Sequence, residues 1–224
     1  MINILLEDYE IAPPWVWNEL KRYLLPGRRV AVVAFAFRDE QASNAQEWEA
    51  LYGQTSGQYH SIIANSFASY GIKQEDIVFL NYFTDTRESA AEKIRQADII
   101  YFLGGLPDRM MERIREFDLT HVLLEHDGVM MGYSAGALVQ LAEYHLSPDE
   151  DYPEFGYYEG LPFLHDFFLE VHYVSSPEQN SAIGRVLAEK GKRVYATVRH
   201  KGLMLAEDGK IRTVGGVKVF DSRS

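Results

Sequence analysis

The chain has 224 residues, of which 46 % are hydrophobic and 25 % charged; its formal net charge is −11, and it contains no cysteine. The apolar fraction fits a globular chain long enough to bury a core and excludes a disordered one. The acidic total argues against a nucleic-acid or anionic-membrane surface. The lack of cysteine excludes a disulfide framework, a Cys-ligated zinc and a thiol nucleophile.

Met1 to Leu6 reads as a strand. It turns acidic at Glu7 and Asp8 with no basic stretch before it, unlike a signal peptide, and no apolar run approaches the roughly 20 residues of a spanning helix. A soluble cytoplasmic protein is expected. Trp15 to Leu24 reads as a helix between Pro13-Pro14 and Pro26-Gly27, with Trp15 and Trp17 expected in the core. Arg29 to Phe37 is β-branched, aromatic and apolar almost throughout, as a strand covered on both faces would be. Ala45 to Tyr70 is helical in composition. Asp76 to Leu80 and Asp98 to Leu103 read as strands, with a capped helix over Thr86 to Ala97 between them. A helix over Asp108 to Phe117, a strand over Val129 to Tyr133 and a small-residue helix over Ala135 to Ala142 follow. Residues 147–166 read as loop or hairpin, and the acidic stretch Asp149 to Glu154 as a solvated lid. The chain then continues with a strand (Phe167 to Val174), a helix (Pro177 to Glu189) and short strands over Val194 to Phe220. Turns are expected at Glu207-Asp208-Gly209 and Gly215-Gly216. This alternation predicts one α/β domain over 1–224 with a mostly parallel sheet between helical layers.

The sharpest chemical signal is Gly132-Tyr133-Ser134-Ala135-Gly136-Ala137, where an apolar strand meets a helix. A tight strand-to-helix turn exposes a serine hydroxyl, small neighbours let the backbone pass closely, and the N–H of Ala135 faces forward at a helix N-terminus. Leu103-Gly104-Gly105-Leu106 ends the strand expected beside it, where its free N–H groups face the crevice of an open α/β sheet. Pro107 has no N–H, which leaves Gly105 or Leu106 as a second oxyanion donor. A serine needs a base. His60, His121 and His126 fall in helical or connecting segments, and His145 follows the elbow too closely to fold back. Of His165, His172 and His200, His172 stands at a strand end and is the best candidate.

At these residues the sequence resembles the aspartyl dipeptidase (peptidase E) and cyanophycinase family of serine peptidases, whose fold is similar to class I glutamine amidotransferases (flavodoxin-like, three-layer α/β/α). The resemblance rests on Gly104-Gly105-Leu106, the Gly132 to Ala137 motif and His172-Tyr173, and covers nearly the whole chain. It implies Ser134 as nucleophile, His172 as base and then acid, Leu106 and Ala135 as oxyanion donors, a pocket lined by Gly104, Gly105 and Tyr133, and a small peptide substrate. No cofactor or metal is implied. The sequence departs from the family in three places. Leu106-Pro107 replaces Gly-Asn. His200 stands where the family's third triad member, a Glu, is expected, which leaves Asp149, Glu207 or no acid at all. No Lys or Arg lies between His172 and Gly184, which weighs against specificity for acidic residues. Two other readings stay open: a weakened relative that binds a peptide or metabolite, and an α/β-hydrolase esterase using Asp149 or Asp166 with His200. A homodimer is also open.

Overall fold

The apolar runs of the sequence become the strands of one central sheet. In this computed structural model, which describes residues 1–55 and 57–221, the elements run in the order β1 (Ile2–Leu6), α1 (Pro14–Leu20), β2 (Val30–Val33), α2 (Ala45–Tyr52), α3 (Gln58–Ala68), β3 (Ile77–Leu80), α4 (Arg87–Arg95), β4 (Ile99–Phe102), α5 (Pro107–Glu116), α6 (Thr120–Leu124), β5 (Val129–Tyr133) and α7 (Ala135–Leu138). The chain continues through β6 (Glu143–Leu146), β7 (Gly156–Glu159), β8 (Phe167–Tyr173), α8 (Pro177–Lys190), β9 (Arg193–Glu207) and β10 (Lys210–Phe220).

The main sheet has the order β10-β9-β1-β5-β4-β2-β3, with β8 also pairing β9. From β1 to β3 every neighbour is parallel; β9 joins β1 antiparallel and β8 parallel. Strands β1, β2 and β4 are buried along their whole length because apolar clusters cover both faces. The continuous apolar runs of the sequence reflect this. The fold is the expected α/β arrangement of a mostly parallel sheet between helical layers. No helix among the described residues is long and apolar enough to cross a membrane.

Several elements differ from the sequence reading. The helical stretch 45–70 is two helices broken at Gly53 and Gly57, where a Cβ on Gly57 would lie 2.4 Å from the Gly53 nitrogen. Only Val30–Val33 of the third apolar run joins the ladder. Residues 34–37 continue it, buried but off the ladder, and Arg113 holds them there, its Nη1 donating to the carbonyls of Phe35 (2.7 Å) and Phe37 (2.8 Å). The elbow helix ends at Leu138. The C-terminal segment is two long strands, not several short ones, and Gly215-Gly216 is a bulge between them instead of a turn. Trp15 lies at the surface, 39 % exposed.

Candidate active site

Ser134 leaves β5 at φ +52°, ψ −119°, and the chain enters α7 at the next residue. This left-handed conformation is strained for a residue with a Cβ. Neighbouring contacts hold it. The Ser134 N–H donates to the Leu6 carbonyl (3.1 Å), and the Ser134 carbonyl accepts from Ala137 and Leu138. A Cβ on Gly132 would lie 2.2 Å from the Gly136 oxygen, and one on Gly136 would lie 2.1 Å from the Phe102 oxygen. The two glycines of the motif are therefore required by backbone passing backbone. Buried Gln140 ties the far end of the turn to β1, accepting from Asn3 and donating to the Gly136 carbonyl.

His172 lies near the end of β8, also at positive φ (+53°). Its Nε2 is 2.8 Å from Ser134 Oγ, and its Nδ1 is 2.5 Å from Glu7 Oε1. A carboxylate only accepts, so Nδ1 carries the proton and Nε2 is free to accept from the serine hydroxyl. Glu7 Oε2 in turn accepts from the His172 backbone N–H (2.9 Å) and from Thr197 Oγ1 (2.8 Å). The Glu7 side chain is 2 % exposed and that of His172 48 %. The result is a serine–imidazole–carboxylate chain with its acid buried and its hydroxyl at a cleft.

The expected acids lie elsewhere. Asp149 accepts from the backbone N–H groups of Asp151 and Tyr152 within its own turn, and Glu207 accepts from the Tyr23 hydroxyl at the other end of β9. His200 is held by Asp8. The carboxylate beside His172 is Glu7, one residue past β1. Its signal in the sequence was an acid directly after an apolar strand, since parallel pairing with β5 sets Leu6 beside Tyr133 and hence Glu7 beside the elbow.

Leu106 does not fit the donor role expected of it. Its N–H donates to the Ala36 carbonyl at 2.8 Å. The N–H groups of Gly105 and Ala135 have no acceptor among the described residues. Gly105 adopts φ +133°, and a Cβ there would lie 2.2 Å from the Ala36 oxygen. Gly104 lies under the Tyr133 ring, 2.4 Å from where its Cβ would be.

Gly104, Gly105, Tyr133, Ser134 and His172 line one cleft of about 500 Å³, together with Glu7, Asp8, Arg38, Tyr52, Tyr59, Arg199 and His200. Burial pushes the Tyr133 hydroxyl up to about 12, so the ring is neutral at ordinary pH. Three of the chain's non-glycine residues at positive φ (Ser134, His172 and His200) face this cleft, a clustering expected where strain serves a site. Among the described residues no group of three or more His, Asp or Glu side chains could hold a metal ion.

A mostly parallel sheet between helical layers, with a serine at a strand-to-helix elbow facing an imidazole backed by a carboxylate, defines the class. The model of peptidase family S51 matches residues 49–214, and the chain belongs to that family. Glu7 lies outside the matched span. The fold is shared with a putative peptidase E protein from Listeria monocytogenes EGD-e (TM-score 0.67, 17 % identity, covering 96 % of this chain and 98 % of that one). It is shared equally with a peptidase from an acI-B1 Actinobacterium (TM-score 0.67, 16 % identity, 99 % and 91 %). No protein of curated function matches the chain by sequence.

Proposed function

We propose that this chain is a serine peptidase cleaving small peptides, dipeptides among them, through a Ser134–His172–Glu7 triad. The observation that carries the reading is the 2.8 Å approach of His172 Nε2 to Ser134 Oγ, with Glu7 fixing the imidazole tautomer from behind. In the proposed reaction His172 takes the hydroxyl proton as Ser134 Oγ attacks the peptide carbonyl carbon. The N–H groups of Gly105 and Ala135 accommodate the oxyanion. The tetrahedral adduct collapses, the C–N bond breaks, and His172 passes its proton to the leaving amine. Water, deprotonated by the same imidazole, then cleaves the acyl ester and restores the hydroxyl.

Membership of a peptidase family supports this reading over a plain binding role. The weakened-relative reading is motivated by Leu106-Pro107 and by His200 at the acid's position; Glu7 answers the second by placing a carboxylate beside His172. The esterase reading needs His200 to be served by Asp149 or Asp166, whereas its partner is Asp8. Steady-state hydrolysis of a dipeptide library tests the proposal. Ser134→Ala and His172→Ala are each expected to lower kcat/KM by about 10³-fold or more. A Ser134→Ala protein that retains the wild-type rate overturns it.

A further inference from the structure

The two halves of the cleft differ, and the difference bears on the substrate. Ser134 stands at the centre, at the end of β5. On the β4 and β2 side the walls carry four rings, Phe37, Tyr52, Tyr59 and Tyr133, beside Arg38 and Gln41, while Tyr9, past β1, packs edge-on against Tyr133. Phe37 and Tyr52 are buried, and the Tyr52 and Tyr59 rings stack at 5.5 Å. On the other side stand Glu7 and His172. Beyond them β9 leaves its pairing with β8 at Val198 and enters its pairing with β1 at Leu203, and Arg199 and His200, between the two pairings, line the cleft.

Two arginines line this cleft, Arg38 and Arg199, and the first is already occupied. Asp151 grips Arg38 through both its Nε and its Nη2, and Asp8 holds His200. Arg199 has no carboxylate partner among the described residues. A guanidinium presents a planar fork of donors that matches a carboxylate.

The chemistry orients the substrate. His172 must deliver its proton to the leaving nitrogen, so the leaving residue lies on the His172 side and the acyl side chain on the opposite, aromatic side. We propose that the cleft selects dipeptides whose acyl residue is aromatic or large and apolar, and whose leaving residue carries a free α-carboxylate engaged by Arg199. This rests on the serine-peptidase reading above. A ring entering the acyl side meets ring faces and edges already in place. An acidic acyl side chain would lose water there while Arg38, on the same side, is already paired with Asp151, an unfavourable exchange. The cleft volume suits a dipeptide.

The test uses the purified full chain and three substrates: Phe-Ala, Asp-Ala and Phe-Ala amide. Phe-Ala is expected to exceed Asp-Ala in kcat/KM by about tenfold or more, and amidation should lower kcat/KM by about 10- to 100-fold, mostly through KM. In Arg199→Gln the advantage of the free acid over the amide should fall to within about threefold, and Arg199→Lys should restore part of it. Faster hydrolysis of Asp-Ala, equal use of the amide, or an undiminished free-acid preference in Arg199→Gln overturns the inference. A fluorophosphonate probe on the wild-type chain separates the two failures. Labelling at Ser134 with no dipeptide turned over sinks the specificity and leaves the nucleophile standing. Neither labelling nor turnover sinks both.

Discussion

Replacing Glu7 by Gln changes one atom of the site and removes one charge. The carboxylate receives three donors: His172 Nδ1 on one oxygen, and the His172 backbone N–H and Thr197 hydroxyl on the other. An amide has only one oxygen to offer. With its oxygen toward Nδ1, its NH₂ would face the His172 backbone N–H, a donor that cannot turn. With its oxygen toward the backbone N–H and Thr197, its NH₂ faces Nδ1. The second arrangement keeps more bonds. It obliges the imidazole to carry its proton on Nε2, pointing at Ser134, where it can no longer accept one. The loss expected is about 10³- to 10⁴-fold in kcat, or roughly 4–5.5 kcal/mol of barrier at about 1.4 kcal/mol per decade. Folding should lose only about 1.5–3 kcal/mol, the value of a hydrogen bond to a charged group. The rate of fluorophosphonate incorporation at Ser134, with thermal melting run alongside, reads both quantities. A folded Glu7→Gln protein that labels within about threefold of wild type refutes the reasoning.

Other outcomes follow from the same geometry. Arg113→Met removes the donors that fix Phe35 and Phe37 and the guanidinium stacked 3.8 Å from the Phe37 ring centroid. Urea unfolding should show a loss on the order of 3 kcal/mol, accompanied by a higher KM. Gly136→Ala sets a methyl against the Phe102 carbonyl and should destabilise the fold severely. Gly184→Ala, whose Cβ meets nothing within 4 Å in the middle of α8, should raise stability by about 0.5–1 kcal/mol; paired melts compare them. Burial lowers the His60 pKa below its ordinary 6.5, so the unfolded chain binds the extra proton first. Stability from this group is present above about pH 6.5 and is lost as pH falls. Denaturant midpoints between pH 7.5 and 5.5 should decline less steeply in His60→Phe.

The parts of the site that are local in the chain were legible in the sequence. The elbow is encoded within six residues, because Gly132 and Gly136 meet each other and Phe102 backbone to backbone. His172 could be singled out as a histidine delivered by a strand end. Glu7 could not be paired with it from spacing alone. The two residues are separated by 165 positions and meet only because β1 lies beside β5 and β9. A strand-end carboxylate was visible, yet its strand neighbours were not. Which of Gly105 and Leu106 keeps an unbonded N–H depends on how one turn is rotated, since the Ala36 carbonyl, past a different strand's end, takes the Leu106 N–H. The length of β9 was hidden for a related reason. Residues 199–201 lie between two pairing partners, β8 and β1, within one continuous strand.

The most direct measurement is rapid-quench mass spectrometry of the chain mixed with an activated ester of a substrate acyl group. In the first turnover the intact protein should gain the mass of that acyl group, with the increment mapping to Ser134 and absent from Ser134→Ala. An adduct that forms equally in Ser134→Ala, or hydrolysis by the wild-type chain with no covalent species at any time, contradicts the account.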